Sequence, residues 1–286
     1  MARYLSARLS CIVPLTFVSP SAQGAAVADQ ASLSPATAAN DDPLPEAIAL
    51  AQGAAESGLG LKLLGGLAVR VICPDLPPRL RAGQDIDFAC LSKGRKDVVG
   101  YLERSGCQPD RRFNSLNGDR QLYFNAPSGR PIDVMVDRLT MCHVLDFRSS
   151  FGAVQLTLPP MDILLSKLQI VEINEKDVRD ALQLLAGVPL GGARSDVPAL
   201  DTDRFAGVLS GDWGWWRTVT ANLEKLPAMT ADRPELLPPG AARDPLANAA
   251  QLLGLARSMP KSMKWKLRSN VGDRVRWYEL PEEVGH

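Results

Sequence analysis

The sequence predicts an α+β fold in which a small mixed sheet with flanking helices is followed by a helical C-terminal region. Short apolar segments bounded by Gly, Pro or Asn alternate with helical patterns up to residue 158. Beyond Pro159 the pattern is helical. Because strands come first and helices after, we expect an α/β core over 43–158 and a helical region over 159–286.

Residues 1–42 are expected to form a disordered extension. Residues 19–43 contain few large apolar side chains, so burial cannot offset the entropy of ordering them. Arg3 and Arg8, followed by the apolar run 11–18, resemble a signal peptide, but Pro14 interrupts the run. The run is too short to span a bilayer, so we expect a cytoplasmic protein without a membrane partner.

The composition excludes several classes of site. The 286 residues include 32 basic and 32 acidic ones, so there is no overall basic field, although a local basic patch remains open. Two His exclude a site built from three imidazoles. Five Cys, an odd number without a Cys-x-x-Cys pair, disfavour a disulfide framework or a structural zinc site and fit a reducing compartment.

Each predicted element has a local signal. The first helix, 45–52, buries Ile48 and Leu50 and ends at the glycines of 58–60. The predicted strands are 62–64, 85–91, 111–113, 121–125 and 131–137, with 154–158 as a further candidate, and Asn117-Gly118 is the predicted turn between the third and fourth. The remaining predicted helices are 67–72, 93–105, 161–171, 175–185, 205–209, 213–226, 246–258 and 261–268.

The first chemical signal is Gly65-Gly66 between a predicted strand and a predicted helix. Glycines let the backbone approach a ligand closely, and the N-terminus of the helix offers free N–H groups to a phosphate. A plain tight turn is the alternative interpretation.

Three acids form the second signal. Asp85 and Asp87 alternate with Ile86 on an apolar strand, so both carboxylates point to one face. Asp133 interrupts another apolar strand, and a buried carboxylate needs a partner. If the two strands are neighbours, the three carboxylates converge into a site suited to Mg²⁺ and phosphoryl transfer. The alternative is an exposed edge strand with solvated acids. Asp137 is expected at a strand end or turn.

The order Gly65-Gly66, Asp85-Ile86-Asp87, Asp133 resembles the nucleotidyltransferase superfamily of DNA polymerase β type. The stretch that contains Gly65-Gly66 and Asp85-Ile86-Asp87 is most similar to the minimal AbiEii-like group, which includes toxin nucleotidyltransferases. The helix around Lys167, followed by Lys176-Asp177-Val-Arg-Asp180, looks like that group's Lys-Leu helix and Lys-Asp-x-x-Asp motif. The resemblance covers residues 60–186. Family members often have Gly-Ser at the nucleotide loop, whereas in this sequence Leu67 follows Gly65-Gly66 and no serine supplies a hydroxyl contact to the phosphate.

The resemblance implies a Mg²⁺-dependent enzyme that moves a nucleoside monophosphate from an NTP to a hydroxyl of a tRNA, a protein or a small molecule. The implied ligands of two Mg²⁺ ions are Asp85, Asp87 and Asp133, with Asp133 also acting as general base. The implied nucleotide-binding residues are Gly65, Gly66, Arg70, Lys167 and Asp180, with Asp180, or less readily Asp177, supporting Lys167.

Simpler interpretations stay open for several residues. Asp177 lies three positions after Asn174, which is typical of helix capping. Lys167 sits in an apolar helix and is equally consistent with a side chain that reaches out to water. Arg70 is equally consistent with a surface arginine. His143 is expected to be hydrogen-bonded or exposed rather than a metal ligand.

The C-terminal region adds a possible RNA contact. Residues 257–276 contain seven basic residues against one acid, Asp273, and aromatic residues are interleaved with them. A solvated helix that packs its Trp side chains on the body is the alternative. The aromatic cluster 213–216 is predicted to be inter-helix core. Two other functions therefore remain: a nucleotide- or RNA-binding protein with decayed catalysis, and a toxin that an antitoxin protein neutralises.

Overall fold

Five short strands form one mixed sheet in the computed structural model, which describes residues 42–77, 84–192 and 198–280. In chain order they are β1 (Leu61–Leu63), β2 (Ile86–Cys90), β3 (Gln108–Pro109), β4 (Gln121–Asn125) and β5 (Pro131–Val136). They lie side by side in the order β1-β2-β5-β4-β3, with β2 and β5 parallel and the other neighbours antiparallel. Apart from Asp42, the predicted N-terminal extension lies outside the described residues.

Four helices accompany this sheet. They are α1 (Leu44–Glu56), α2 (Gly65–Ile72), α3 (Arg95–Arg104), which follows a 3₁₀ turn at Ser92–Gly94, and α4 (Arg111–Asn117). The backbone of Gly58 has a φ of 71°, a conformation that Gly adopts easily, and it lies just beyond the end of α1 as predicted. A hairpin of β6 (Arg138–Thr140) and β7 (Val144–Asp146) follows the sheet.

The C-terminal region is helical, as predicted. Its helices are α5 (Pro160–Leu168), α6 (Glu175–Gly187), α7 (Thr202–Gly211), α8 (Trp213–Asp232), α9 (Pro245–Ser258) and α10 (Met263–Val271), and two-residue strands β8 (Leu190–Gly191) and β9 (Leu200–Asp201) pair before α7. Five of these helices begin after a side chain that accepts a backbone N–H, at Asn174, Asp201, Asp212, Asp244 and Ser262. Capping therefore fixes where these helices start.

The two faces of the sheet differ in burial. On β5, Ile132, Val134 and Val136 are buried, whereas Asp133 and Met135 are partly exposed. On β4, Leu122 and Phe124 are buried, whereas Gln121 and Tyr123 are partly exposed. The apolar face joins a continuous buried cluster that extends from Ala47 to Met259. The opposite face carries the polar residues and is partly open.

The fold class is confirmed as α+β with a small mixed sheet, flanking helices and a helical C-terminal region, but two predicted strands are wrong. Residues 111–113 begin α4, because the Asp110 side chain accepts the Phe113 N–H and caps a helix there. Asn117-Gly118 consequently lies at the end of that helix rather than in a hairpin. Residues 154–158 contribute a single bridge, between Leu63 and Thr157.

Two further expectations concern chemistry and location. Cys73, Cys90, Cys107 and Cys142 are buried free thiols, which is typical of cysteines that pack as small core residues. Within the described part of the chain, no helix has the length and apolar character that a membrane span needs.

Candidate active site

Asp87 and Asp133 face each other across the two parallel strands at the centre of the sheet. They are direct register partners on β2 and β5, so both side chains emerge on the same, partly open face. Neighbouring strands lie about 4.8 Å apart, which brings the two carboxyl groups into electrostatic contact. The sequence predicted that these acids would meet, and the pairing of β2 with β5 brings them together.

Asp85 lies one residue before the start of β2 and is exposed. One residue, Ile86, separates it from Asp87, so Asp85 lies on the same side of the chain as Asp87, just before the strand begins. Among the described residues, no three side chains of His, Cys, Asp or Glu are already placed to hold a metal ion. The central pair with Asp85 beside it is thus a set of carboxylates rather than a preformed metal cage.

Gly65 forms the bend between β1 and α2 and touches the Asp87 side chain. Its φ is 66°, and a Cβ atom at this position would overlap the Asp87 carboxylate. The Leu64 N–H donates to the Asp87 carbonyl oxygen at 2.9 Å, which fixes the bend against β2. A glycine is required here both by the backbone conformation and by the close approach of the acid.

Asp87 sits in an environment that disfavours its charge. Burial is the largest cause, and the neighbouring Asp133 adds repulsion; together they raise the pKa of Asp87 to about 7 despite the opposing influence of Lys167. Asp85 and Asp180 add smaller repulsive contributions to the same pKa. A carboxylate in this environment is stabilised by a bound proton or by a nearby cation.

Lys167 reaches this region from α5 and is held by two acids of α6. Its Nζ lies 2.9 Å from Asp180 Oδ2 and 3.2 Å from Asp177 Oδ1. Burial opposes its charge, but Asp180, Asp177 and Asp87 outweigh that effect and raise the pKa of Lys167. The side chain is only 13% exposed, so Lys167 is a fixed, charged ammonium group beside Asp87 rather than a lysine that extends into water.

Asp177 combines the two roles that the sequence offered for it. Its backbone N–H donates to the Asn174 side chain at 3.1 Å, which caps α6. Its carboxylate pairs with Lys167. Asp177 and Asp180 lie three residues apart on α6 and so approach Lys167 from one face of that helix.

The open face carries two polar residues that were not predicted to belong to the site. Tyr123 on β4 is the register partner of Asp133, and Gln121 Nε2 donates to Asp133 Oδ1 at 2.6 Å. Burial, followed by the charges of Asp133 and Asp85, raises the pKa of Tyr123. The signal was present in the alternation Gln121-Leu122-Tyr123-Phe124, but it could be used only once the register of β4 against β5 was known.

Two other candidates have local partners. The guanidinium of Arg70 forms two hydrogen bonds to Asp42, at 2.6 and 2.7 Å, and its side chain is 9% exposed. His143 is buried and its Nε2 lies 2.9 Å from Thr218 Oγ1, while burial lowers its pKa to about 4. His143 is therefore a neutral, hydrogen-bonded residue of the core, as expected.

The C-terminal aromatic residues pack among the helices. Trp213 and Trp215 are buried, and the Trp213 ring meets the Trp277 ring edge-on with centroids 5.7 Å apart. Arg268 lies over the Trp213 ring, 4.6 Å from its centroid. The cluster 213–216 is inter-helix core, and the basic residues around it partly serve to cover aromatic rings.

Comparisons with known proteins find distant similarity to solved structures. No family model and no curated protein matches the chain. Among solved structures, nucleotidyltransferases and nucleotidyltransferase-like proteins are similar. One is the antibiotic-resistance factor ANT(2'')-Ia, with 12% identity and a TM-score of 0.36, covering 67% of this chain and 96% of that one. Another is an antigenic nucleotidyltransferase-like protein from Paracoccidioides brasiliensis, with 14% identity and a TM-score of 0.37, covering 78% of this chain and 96% of that one. At such low similarity, the function of this chain must be derived from its own side chains.

Proposed function

We propose that this protein is a nucleotidyltransferase that moves a nucleoside monophosphate from an NTP to a hydroxyl group. The observation that carries the proposal is the pairing of Asp87 with Asp133 on parallel strands, beside a diglycine bend and a largely buried ammonium group. Paired carboxylates next to the N-terminus of a helix are suited to displacement at phosphorus.

Each group has a role in this reaction. The backbone at Gly65-Gly66 and the start of α2 would hold the triphosphate, and Lys167 would neutralise its charge. The acceptor oxygen attacks the α-phosphorus while the bond from that phosphorus to the bridging oxygen of the leaving pyrophosphate breaks. Asp133 takes the proton of the acceptor hydroxyl. Asp177 and Asp180 keep Lys167 in place.

The donor set fits Mg²⁺. All candidate ligands are carboxylates, and Mg²⁺ is commonly held by one or two carboxylates together with substrate phosphates and water. Asp87 and Asp133 would hold the ion, with Asp85 at the edge of the site, and a second ion remains a prediction. When bound, Mg²⁺ would neutralise charge on the transferred phosphoryl group.

The direct test is transfer from an α-labelled NTP. The protein is incubated with each labelled NTP, Mg²⁺, total RNA and total protein, and pyrophosphate and labelled products are measured. We expect Asp87→Asn and Asp133→Asn to reduce transfer by on the order of 100-fold or more, and chelation of Mg²⁺ to abolish it. Asp97→Asn, an exposed acid on α3, is the matched control and should be unaffected. Wild-type rates in both Asn variants would disprove the proposal.

A second candidate is nucleotide binding without turnover. It is favoured by Gly66 and the following Leu67, which leave the loop without a hydroxyl for the phosphate. Tight NTP binding without pyrophosphate release would support it, and measurable release would eliminate it.

The acceptor and protein partners remain predictions. Lys264, Lys266, Arg274 and Arg276 are exposed, which keeps an RNA contact open. A toxin role predicts slower growth of cells that express the wild type but not Asp87→Asn, and relief by an antitoxin protein.

A further inference from the structure

One row of residues crosses the open face of the sheet. Asp87, Asp133 and Tyr123 are register partners on β2, β5 and β4, so their side chains follow one another across adjacent strands. Gly65 touches Asp87 at the other end of the row. The order along the row is therefore diglycine bend, first acid, second acid, tyrosine.

This order gives the proposed reaction a direction. Attack at phosphorus is in line, so the incoming hydroxyl and the leaving pyrophosphate lie on opposite sides of the transferred group. If the leaving phosphates lie at Gly65-Gly66, the acceptor must enter from the far side of Asp133. That side is β4, and it presents Tyr123.

Tyr123 is held firmly at this position. The Asn114 side chain bonds both backbone groups of Tyr123, accepting its N–H at 2.6 Å and donating to its carbonyl at 3.0 Å. The Asp110 N–H also donates to the Tyr123 carbonyl, at 3.0 Å. These bonds attach α4 to β4, so a ring carried by α4 is fixed relative to a ring carried by the strand.

Phe113 supplies that second ring. Its centroid lies 6.1 Å from that of Tyr123, with the two planes at 59°, and the Asp110 cap fixes its backbone. Both residues are only partly exposed. Two tilted rings thus form an apolar corner beside Asp133, and a flat ring that stacks on one of them is the ligand that such a corner suits.

We propose that Tyr123 and Phe113 bind the acceptor and that the acceptor is a nucleotide, whose base stacks in this corner while its hydroxyl reaches Asp133. The inference rests on the proposed function and adds the class of acceptor to it. The nucleotide is either free or the 3′ end of an RNA strand. The phenol of Tyr123 carries a hydroxyl that can donate a hydrogen bond to the acceptor.

The test measures the KM for each substrate separately. Acceptors are adenosine 5′-monophosphate, a single-stranded ten-nucleotide RNA with a free 3′-hydroxyl, and ribose 5-phosphate, which lacks a base. We expect one or both nucleotides to accept, and ribose 5-phosphate not to. Tyr123→Ala and Phe113→Ala should raise the KM for the nucleotide about 10-fold, the size of one lost base stack, and leave the KM for NTP unchanged.

Two variants separate ring stacking from general damage. Tyr123→Phe keeps the ring and should restore most of the affinity for the acceptor. Arg111→Ala, on the same helix but lining a different groove with Arg95 and Glu103, should behave as the wild type. Thermal melting of every variant checks that the fold is intact.

The outcomes distinguish a failure of the acceptor site from a failure of the proposed nucleotidyltransferase function. Equal use of ribose 5-phosphate, or an unchanged acceptor KM in Tyr123→Ala, would overturn the acceptor site while leaving the transferase proposal intact. If the wild type transfers to no acceptor, binding of the labelled RNA is measured with a non-hydrolysable NTP analogue at saturation. Binding that Tyr123→Ala weakens 5-fold or more would support the site, and equal binding would refute it.

Discussion

At the scale of single residues, the site has features that oppose folding. Asp87 carries a carboxyl group whose pKa is raised to about 7, chiefly by burial and then by Asp133. In the unfolded chain this group has its ordinary pKa near 3.8. The folded state therefore binds a proton more tightly than the unfolded state, and stability falls as the pH rises from about 4 to about 7.

Removing this charge should stabilise the protein. We expect Asp87→Asn to increase the free energy of unfolding at pH 8 by on the order of 2 kcal/mol. This is less than the free energy that corresponds to the whole pKa shift of Asp87, because its side chain is partly exposed. At pH 4 the gain should disappear, since the wild-type carboxyl is then protonated. Urea unfolding at both pH values measures the difference. A gain that is equal at pH 4 and pH 8 would contradict this origin.

Gly65 offers a second prediction with a built-in control. Gly58 has a similar φ of 71° and open space around its Cβ position, whereas a Cβ on Gly65 would overlap Asp87. Gly58→Ala should therefore cost about 1 kcal/mol of stability, the cost of the backbone conformation alone. Gly65→Ala should cost at least about 1 kcal/mol more and should also displace Asp87, which a loss of NTP binding would report. Equal costs would show that the bend tolerates a side chain.

At the scale of elements, Lys167 connects two helices beside the sheet. It lies on α5, and its partners Asp177 and Asp180 lie on α6. The side chain of Asp180 is 2% exposed, so without the lysine its charge would remain buried with less compensation. The pair positions the two helices and at the same time holds a cation next to Asp87.

Breaking this pair should weaken the packing of α5 on α6. We expect Lys167→Met to lower the free energy of unfolding by about 3 kcal/mol, because a buried carboxylate loses its partner. The double variant Lys167→Met with Asp180→Asn should recover much of the loss, since the deeply buried Asp180 charge is then removed together with its partner. Chemical denaturation of the two variants and of Asp180→Asn alone measures the coupling. An additive double variant would mean that the ion pair does not link the helices.

The elements also mark the limit of what the sequence can predict. Apolar runs with clear boundaries, such as 85–91 and 131–137, and capped helices such as α6 and α9 were placed correctly, because their signals are local. The row of Asp87, Asp133 and Tyr123 depends on which strands are neighbours and in which register. Strand neighbours and register depend on contacts between residues far apart in the sequence. The sequence alone therefore pointed to Asp87 and Asp133 but not to Tyr123. Residues 111–113 were misplaced in a strand because the sequence prediction did not recognise Asp110 as the cap that starts a helix there.

At the scale of the whole molecule, a buried ion pair within the helical region also bonds the hairpin that follows the sheet. Arg204 on α7 bonds Asp162 on α5 at 2.8 Å and the carbonyl oxygen of Asp146 on β7 at 2.6 Å. Ser150 donates to the other oxygen of Asp162. Asp162 is fully buried, so its charge is tolerated only because these groups surround it.

This pair should matter far more than ion pairs at the surface. Arg204→Met should lower the free energy of unfolding by about 3 kcal/mol, because it leaves the Asp162 carboxylate buried and unpaired. Arg257→Met removes an exposed pair with Glu224 and should cost less than about 0.5 kcal/mol. Both are measured by urea unfolding, and similar costs for the two would contradict the assigned role of Arg204.

The distribution of the aromatic residues gives the molecule a built-in optical label. All five indole rings, at positions 213, 215, 216, 265 and 277, belong to the helical region, and the 212 preceding residues contain none. Intrinsic fluorescence excited selectively at tryptophan therefore reports on the C-terminal helices and is silent for the sheet. Compared with circular dichroism, whose signal comes from the whole chain, this emission would reveal whether the sheet region and the helical region melt together or one after the other.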